Sequence, residues 1–216
     1  MQIYNSPAVR PAPYLDPRHR TMLEEESAIS PEVVRERGYF SATEPGELRE
    51  LGFADYQLRV PALVVPMYGP DGSVTNHQIR PDDPRLNNEG KPIKYETPSG
   101  SRVVLDCHPS NVEGLKDPRE PLWITEGVKK GDSGASRGLL VVALQGVWSW
   151  QKGGTPLPEW GQIPLANRTV YVVFDADIAH KPPVRLALAG LVEFLWEHGA
   201  VAYVVPLEEI GRAAHV

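Results

Sequence analysis

Apolar residues in the C-terminal half of the chain fall into short runs that alternate with segments of helical spacing. The runs lie at residues 122–125, 139–144, 169–174 and 201–205. Short continuous runs of this kind are typical of strands buried in a parallel sheet. Apolar side chains between Val184 and His198 line one helical face, which Gly199 would end. Topology also requires a crossover helix at 129–138, although its three glycines disfavour helix formation.

The N-terminal half has shorter and less regular patterns. Two helical patterns are found at His19–Glu26 and at Ser30–Arg37, where Ser30 suits an N-cap and Gly38 a stop. Two strands, Ala62–Met67 and Val74–Arg80, are joined by a glycine-containing turn and predict a β-hairpin. A further strand is expected at Arg102–Asp106.

These patterns divide the chain into three parts. Residues 1–20 are rich in proline, lack apolar periodicity and are expected to form an extended arm. Residues 21–118 would form a small α+β subdomain. Residues 119–216 would form an α/β domain, with a Rossmann-like parallel sheet flanked by helices.

Composition indicates a folded protein without a membrane segment. Of the 216 residues, 41% are hydrophobic and 23% are charged, and no apolar run has the length of a membrane span or signal sequence. The single cysteine, Cys107, excludes an internal disulfide, so we expect a packed side chain and a cytoplasmic location. A net charge of −6 argues against a generally basic nucleic-acid-binding surface, but it permits a local cationic groove.

Acidic residues stand at the ends of two predicted strands. Glu126 ends the strand LWITE, and Asp175 and Asp177 follow the strand TVYVVF. In a parallel sheet both segments deliver their carboxylates to the same edge, and residues i and i+2 point the same way. Each acid alone could serve as a helix cap or a solvated loop residue. Their joint placement, with Gly127 after Glu126, instead favours a site for a divalent ion such as Mg²⁺.

The same residues resemble the Toprim domain of bacterial-type primases, topoisomerases and OLD-like nucleases. In that family a strand ends in Glu-Gly, a crossover of about 50 residues follows, and the next strand ends in Asp-x-Asp. The segments ITEGVKKGDS, LQGVWSW and VVFDADIAHKPPV are similar to Toprim-like domains of phage, plasmid and mobile-element replication proteins. The resemblance implies that Glu126, Asp175 and Asp177 are catalytic and bind Mg²⁺ or Mn²⁺.

A second resemblance covers LVVPMYGPDGSVTNHQIRP and KPIKYETP, which are similar to the segment that precedes Toprim in replicative primases. It implies that Arg80 and Lys94 contact template or nucleotide phosphate and that Tyr95 packs against a base or sugar. The alternative is that Arg80 and Lys94 are surface charges beside neighbouring acids.

The chain departs from the replicative primase pattern after Glu126. No zinc-binding module is found, and the position four residues on, commonly Asp in primases, is Lys130, with Asp132 two residues further. Lys129 and Lys130 could instead clamp phosphates, and Lys181 is a further phosphate contact. Simple solvent exposure is the alternative for these lysines.

The resemblance implies metal-dependent nucleotidyl transfer, in the form of primer synthesis on single-stranded DNA from nucleoside triphosphates. A helicase domain or subunit is a further partner that it suggests. Two alternatives stay open: a Toprim nuclease that cleaves phosphodiesters with the same carboxylates, and an inactive nucleic-acid-binding module of a larger replication protein.

Overall fold

The computed structural model of the chain describes residues 14–174 and 181–205. Its α-helices are α1 Pro17–Thr21, α2 Pro31–Arg37, α3 Pro45–Glu50, α4 Val112–Leu115, α5 Val128–Ala135 and α6 Pro182–Glu197. Its strands are β1 Phe40–Ala42, β2 Ala62–Tyr68, β3 Val74–Pro81, β4 Asp106–Cys107, β5 Leu122–Glu126, β6 Leu140–Leu144, β7 Gln151–Lys152, β8 Thr155–Pro156, β9 Thr169–Val173 and β10 Val201–Val204. A π-helical turn at Met22–Glu26 follows α1, and 3₁₀ turns lie at Asp55–Gln57, Pro109–Asn111 and Pro158–Gln162.

The N-terminal segment is helical where an extended arm was expected. Residues 1–13 lie outside the described residues, and α1 begins at Pro17. The Asp16 carboxylate accepts a hydrogen bond from the Arg18 N–H at 2.8 Å, and proline at the first helical position fits its fixed φ. The expectation of an extended segment is therefore wrong from Pro17 onward.

The predicted cap and stop of the second helix are confirmed. Ser30 Oγ accepts a hydrogen bond from the Val33 N–H at 3.3 Å, so it caps α2 at its N-terminus. Gly38, at φ 77°, ends the helix in the left-handed conformation that favours glycine.

The predicted hairpin is confirmed and forms most of a three-stranded sheet. Strands β2 and β3 pair antiparallel, with Val64 opposite Ile79, and the Gly72 N–H donates to the Gly69 carbonyl oxygen at 2.9 Å in the turn. Strand β1 pairs antiparallel with β2 and completes the sheet in the order β1-β2-β3. The sequence pattern missed β1 because three residues are too few to show alternation.

The C-terminal half forms the predicted parallel sheet. Strands β10, β9, β5 and β6 are adjacent in that order and run parallel, and β4 pairs antiparallel with β6 at the edge. The predicted strand at Arg102–Asp106 is wrong for residues 102–105, since only Asp106 and Cys107 join a ladder. Val104 and Leu105 form an apolar run that resembles a strand in sequence, but each is buried in a different core cluster and neither lies in a strand.

Helices cover both faces of this sheet. Helix α6 buries Leu191, Phe194 and Leu195 against one face, and Gly199, at φ 79°, follows the helix as predicted. Helix α5 lies on the other face over β6. Its glycines allow a close approach, because a Cβ on Gly134 would meet Val141 Cγ2 at 2.8 Å. Among the described helices, none is long and apolar enough to cross a membrane.

The buried apolar residues form a large cluster in the C-terminal half and two smaller clusters around the hairpin. The large cluster joins the five-stranded sheet, α6 and the loop residues Trp150 and Trp160. One smaller cluster contains Val128 of α5 together with residues of the N-terminal helices and β2. The N-terminal half, with its hairpin, thus packs against the C-terminal half, with its five-stranded sheet. The predicted domain boundary between residues 118 and 119 stays a prediction.

Candidate functional site

Glu126 lies at the carboxyl edge of the parallel sheet, as predicted. It is the last residue of the central strand β5 and is half-buried. Gly127, at φ 90°, turns the chain directly into α5, and its N–H donates to the Leu144 carbonyl oxygen at 2.8 Å. A left-handed turn of this kind favours glycine, so the Glu-Gly pair is explained by the strand-to-helix turn.

A cavity of about 250 Å³ lies between this edge and the N-terminal half of the chain, which contains the β2–β3 hairpin. Glu126, Lys129 and Lys130 line it from β5 and α5, and Tyr95 lines it from the segment after the hairpin. The structure therefore brings four of the predicted site residues together, although Tyr95 lies 31 positions before Glu126 in the sequence.

Two glutamines that sequence reasoning missed line the same cavity. Gln78 lies on β3 opposite Val65, and Gln145 directly follows β6. The position of Gln145, just past the carboxyl end of a parallel strand, is the same signal that marked Glu126. Its amide donates to the sulfur of Met67 at 3.2 Å, which ties the sheet edge to the hairpin.

Arg80 and Lys94 line a neighbouring cavity of about 390 Å³, together with Arg18 and Asp82. Arg80 donates a hydrogen bond to the Tyr95 hydroxyl at 3.1 Å, and its guanidinium lies 5.4 Å from the centre of the same ring. This contact links the two cavities. The prediction missed Arg18, because it lies in the segment expected to be an extended arm.

The lysines of α5 stand at the start of that helix. Lys129 Nζ donates to Ser27 Oγ at 3.0 Å, so this lysine also contacts the N-terminal helical segment. Lys181 immediately precedes α6, on the far side of the undescribed stretch.

Asp175 and Asp177 lie outside the described residues. Strand β9, which precedes them in sequence, is the parallel neighbour of β5, and its Val173 is level with Thr125. Within residues 14–174 and 181–205, no group of three His, Cys, Asp or Glu side chains is suited to hold a metal ion. The predicted carboxylate cluster therefore stays a prediction.

Asp132, the acid two residues after Lys130, is not among the residues that line the cavity with Glu126. Its carboxylate is completely buried and accepts hydrogen bonds from Arg37 Nε at 2.9 Å and from the Tyr39 hydroxyl at 2.6 Å. The same guanidinium donates to Asp106 at 2.6 Å. Asp132 therefore holds α5 to α2 and is one of the acids that balance Arg37.

Burial and mutual charge shift the pKa values in this network. Burial alone would lower the pKa of Arg37, yet Asp106 and Asp132 hold it well above its ordinary value. Burial raises the pKa of Asp106 against the attraction of Arg37, and one of its carboxylate oxygens, Oδ2, has no hydrogen-bond partner. Burial and Asp132 raise the pKa of Tyr39.

Comparison with known proteins places the fold among primase cores. Residues 114–213 match a family described as a domain of unknown function (DUF3854). No curated protein matches the chain in sequence. The chain has the mixed α/β architecture of Toprim-type primase cores, with a sheet that contains parallel strands and helices on its faces.

Three solved structures illustrate the similarity. The Aquifex aeolicus primase, with its zinc-binding and RNA polymerase domains, has a TM-score of 0.63 at 17% identity over 89% of this chain and 50% of that one. The DnaG primase catalytic domain bound to ssDNA has a TM-score of 0.56 at 15% identity, over 87% and 66%. The RNA polymerase domain of Mycobacterium tuberculosis DnaG has a TM-score of 0.55 at 14% identity, over 88% and 70%. The chain thus spans half the length of the Aquifex primase fragment.

Proposed function

We propose that this chain is the catalytic core of a primase-type nucleotidyltransferase, part of a mobile-element replication protein, that synthesises primers on single-stranded DNA. The supporting observation is the cavity at the sheet edge, where Glu126 meets Lys129, Lys130 and Tyr95 in a fold like that of primase cores. In this proposal residues 21–118 are the primase-core-like subdomain and residues 119–216 the Toprim-like domain.

The residues at this edge fit a divalent metal ion. Glu126 supplies a hard oxygen donor at the end of β5, and Asp175 and Asp177 follow the neighbouring strand β9 in the sequence. Carboxylates are the ligands that Mg²⁺ and Mn²⁺ prefer. When bound, the ion would offset negative charge on the reacting phosphates.

The basic side chains around the two cavities would position the substrates. Lys129 and Lys130 face the cavity that contains Glu126, where they can bind triphosphate oxygens. Arg80 and Lys94 line the neighbouring cavity, where they can bind the phosphates of a template strand. Tyr95 lines the cavity that contains Glu126, and its hydroxyl accepts a hydrogen bond from Arg80, so its ring can pack against a base or sugar there.

Lys181 is placed by sequence close to Asp175 and Asp177 and would add a phosphate contact from the start of α6. The proposed partners are therefore a single-stranded DNA template and nucleoside triphosphates. A helicase domain or subunit, which would supply the single strand, is a further proposed partner.

The test is nucleotide incorporation by the purified chain on single-stranded DNA with Mg²⁺ or Mn²⁺. Wild type is compared with Glu126→Gln and Asp175→Asn, which remove a charge and keep the side-chain shape. We expect short products from wild type and a loss of at least about 100-fold in both variants. The matched control is Glu193→Gln, an exposed carboxylate on α6, which should leave the rate unchanged.

Two outcomes would overturn the proposal. Cleavage of the template, lost in the same variants, would establish the nuclease alternative. If the chain binds DNA but neither synthesises primers nor cleaves the template, the result would support an inactive binding module.

A further inference from the structure

A third and larger cavity opens on the α5 face of the sheet, beside the cavity that contains Glu126. Its volume is about 540 Å³, within the usual range of ligand-binding clefts. Trp123 and Val173 line it from the sheet, and Ser133 lines it from α5. Lys129 and Lys130 line both this cavity and the one that contains Glu126. The two spaces therefore share a basic border.

Three aromatic side chains form a ladder that leads away from this cavity across the sheet. Trp123, Tyr171 and Tyr203 lie in register on β5, β9 and β10. The Trp123 and Tyr171 rings stack with their centres 4.5 Å apart, and those of Tyr171 and Tyr203 are 5.6 Å apart.

The ladder lies on the face that α6 does not cover. Leu122 and Ile124 alternate with Trp123 along β5 and are buried with α6, so Trp123 points to the opposite face. On that face α5 covers β6, while Tyr203, at the far edge, is 51% exposed.

We infer that the Trp123 surface of this cavity stacks an unpaired base of single-stranded DNA. Lys129 and Lys130 lie on the border of both cavities, so their positive charge attracts the phosphates of this strand as well as the triphosphate on the Glu126 side. Tyr171 occupies one face of the indole, which leaves the remaining surface of Trp123 toward the cavity. Single-strand binding proteins combine aromatic platforms with cationic side chains in this way, because every base has a π-face. Glu26 is the acid at the border, and the two lysines outnumber it.

This inference extends the proposed function by giving the template a second contact, but its test measures binding alone. The probe is a fluorescein-labelled oligothymidylate, titrated with the full chain in EDTA without nucleoside triphosphates and followed by anisotropy. The binding result can therefore be interpreted even if the chain fails to synthesise primers.

The variants separate stacking from simple packing. Trp123→Leu keeps an apolar side chain and removes the π-face, and it should weaken binding roughly tenfold. Trp123→Phe keeps an aromatic face and should retain most of the affinity. Trp196→Leu is the control, because Trp196 is 62% exposed on α6, away from this face.

A second measurement identifies the contact directly. An oligothymidylate that carries 5-iodouracil should form photo-cross-links to the peptide that contains Trp123 or Tyr171. Equal affinity of wild type and Trp123→Leu, or cross-links confined to other peptides, would overturn the inference. A concentration-dependent dimer in sedimentation that Trp123→Leu abolishes would overturn it too, because a second copy of the chain would then cover this face.

Discussion

At the scale of single residues, Cys107 is a buried group whose pKa is displaced by its surroundings. Cys107 is completely buried in the core of the larger sheet, and burial raises the pKa of its thiol well above the ordinary 9.0. The high pKa agrees with its predicted role as a packed side chain. Such a thiol stays protonated in the folded protein, whereas it ionises in the unfolded chain near pH 9.

Stability should therefore fall at alkaline pH, in part because of Cys107. Above pH 9 the unfolded chain binds fewer protons than the folded one, so the free energy of unfolding decreases as pH rises. Between pH 9 and pH 10 wild type should lose about 1 kcal/mol more than Cys107→Ala. Urea unfolding at both pH values measures this difference. An equal loss in the two proteins would show that the thiol does not contribute.

Helix α5 is the element on which the site depends most directly, since it begins next to Glu126 and carries Lys129 and Lys130. Its sequence disfavours a helix because it contains two glycines, Gly131 and Gly134. The structure gives the reason for both: a Cβ on Gly131 would meet the Ala143 Cβ at 3.1 Å, and one on Gly134 would meet Val141 at 2.8 Å. Close packing on β6 thus outweighs helix propensity.

Gly134→Ala should destabilise the protein. Overpacking typically costs about 1–3 kcal/mol, and better helix propensity returns at most about 1 kcal/mol. The matched control is Gly46→Ala in α3, where a Cβ would meet nothing within 4 Å, so it should stabilise by up to about 1 kcal/mol. Urea unfolding of both variants provides the comparison. Equal changes of the same sign would contradict the role assigned to Gly134.

The sequence predicted the elements with strong apolar patterns, and it failed where tertiary contacts decide. The four parallel strands and α6 were predicted to within one or two residues, because the strands are continuous apolar runs and α6 has a regular apolar face. Strand β1 was missed because its three residues take their conformation from pairing with β2. The apolar residues before Asp106 have the sequence pattern of a strand, but they are apolar side chains of a loop that packs into two separate cores.

The sequence could predict those site residues that stand at the ends of strands. Glu126 could be located because a charged residue ends a buried strand. The closeness of Tyr95 to Glu126 could be expected only from the resemblance to primases, since it depends on how the hairpin packs against the sheet. The partnership of Asp132 with Arg37 could not be read from sequence, because the two residues are 95 positions apart.

At the scale of the whole molecule, one buried ionic network joins the two halves of the chain. Arg37 of α2 contacts Asp132 of α5, Asp106 of β4 and the Pro66 carbonyl oxygen of β2. The guanidinium and both carboxylates are at most 1% exposed. Removing one partner from such a network leaves a buried charge without compensation.

Arg37→Met should therefore cost about 3–5 kcal/mol, because Asp106 and Asp132 would remain buried without their cation. Arg35→Met is the matched control, since Arg35 lies on the same helix and is exposed. Chemical denaturation of the two variants tests the difference. If both lost the same stability, the network would not be what holds the halves together.

The central claim is that the sheet edge at Glu126 is a metal-dependent active site, and Mn²⁺ binding tests it most directly. Electron paramagnetic resonance would follow the loss of the free Mn²⁺ signal as protein is added to wild type, Glu126→Gln, Asp175→Asn, Asp177→Asn and the exposed control Glu193→Gln. We predict saturable binding by wild type and the control, weakened at least about tenfold in each of the other three variants. No saturable binding, or binding that these three substitutions leave unchanged, would contradict the claim.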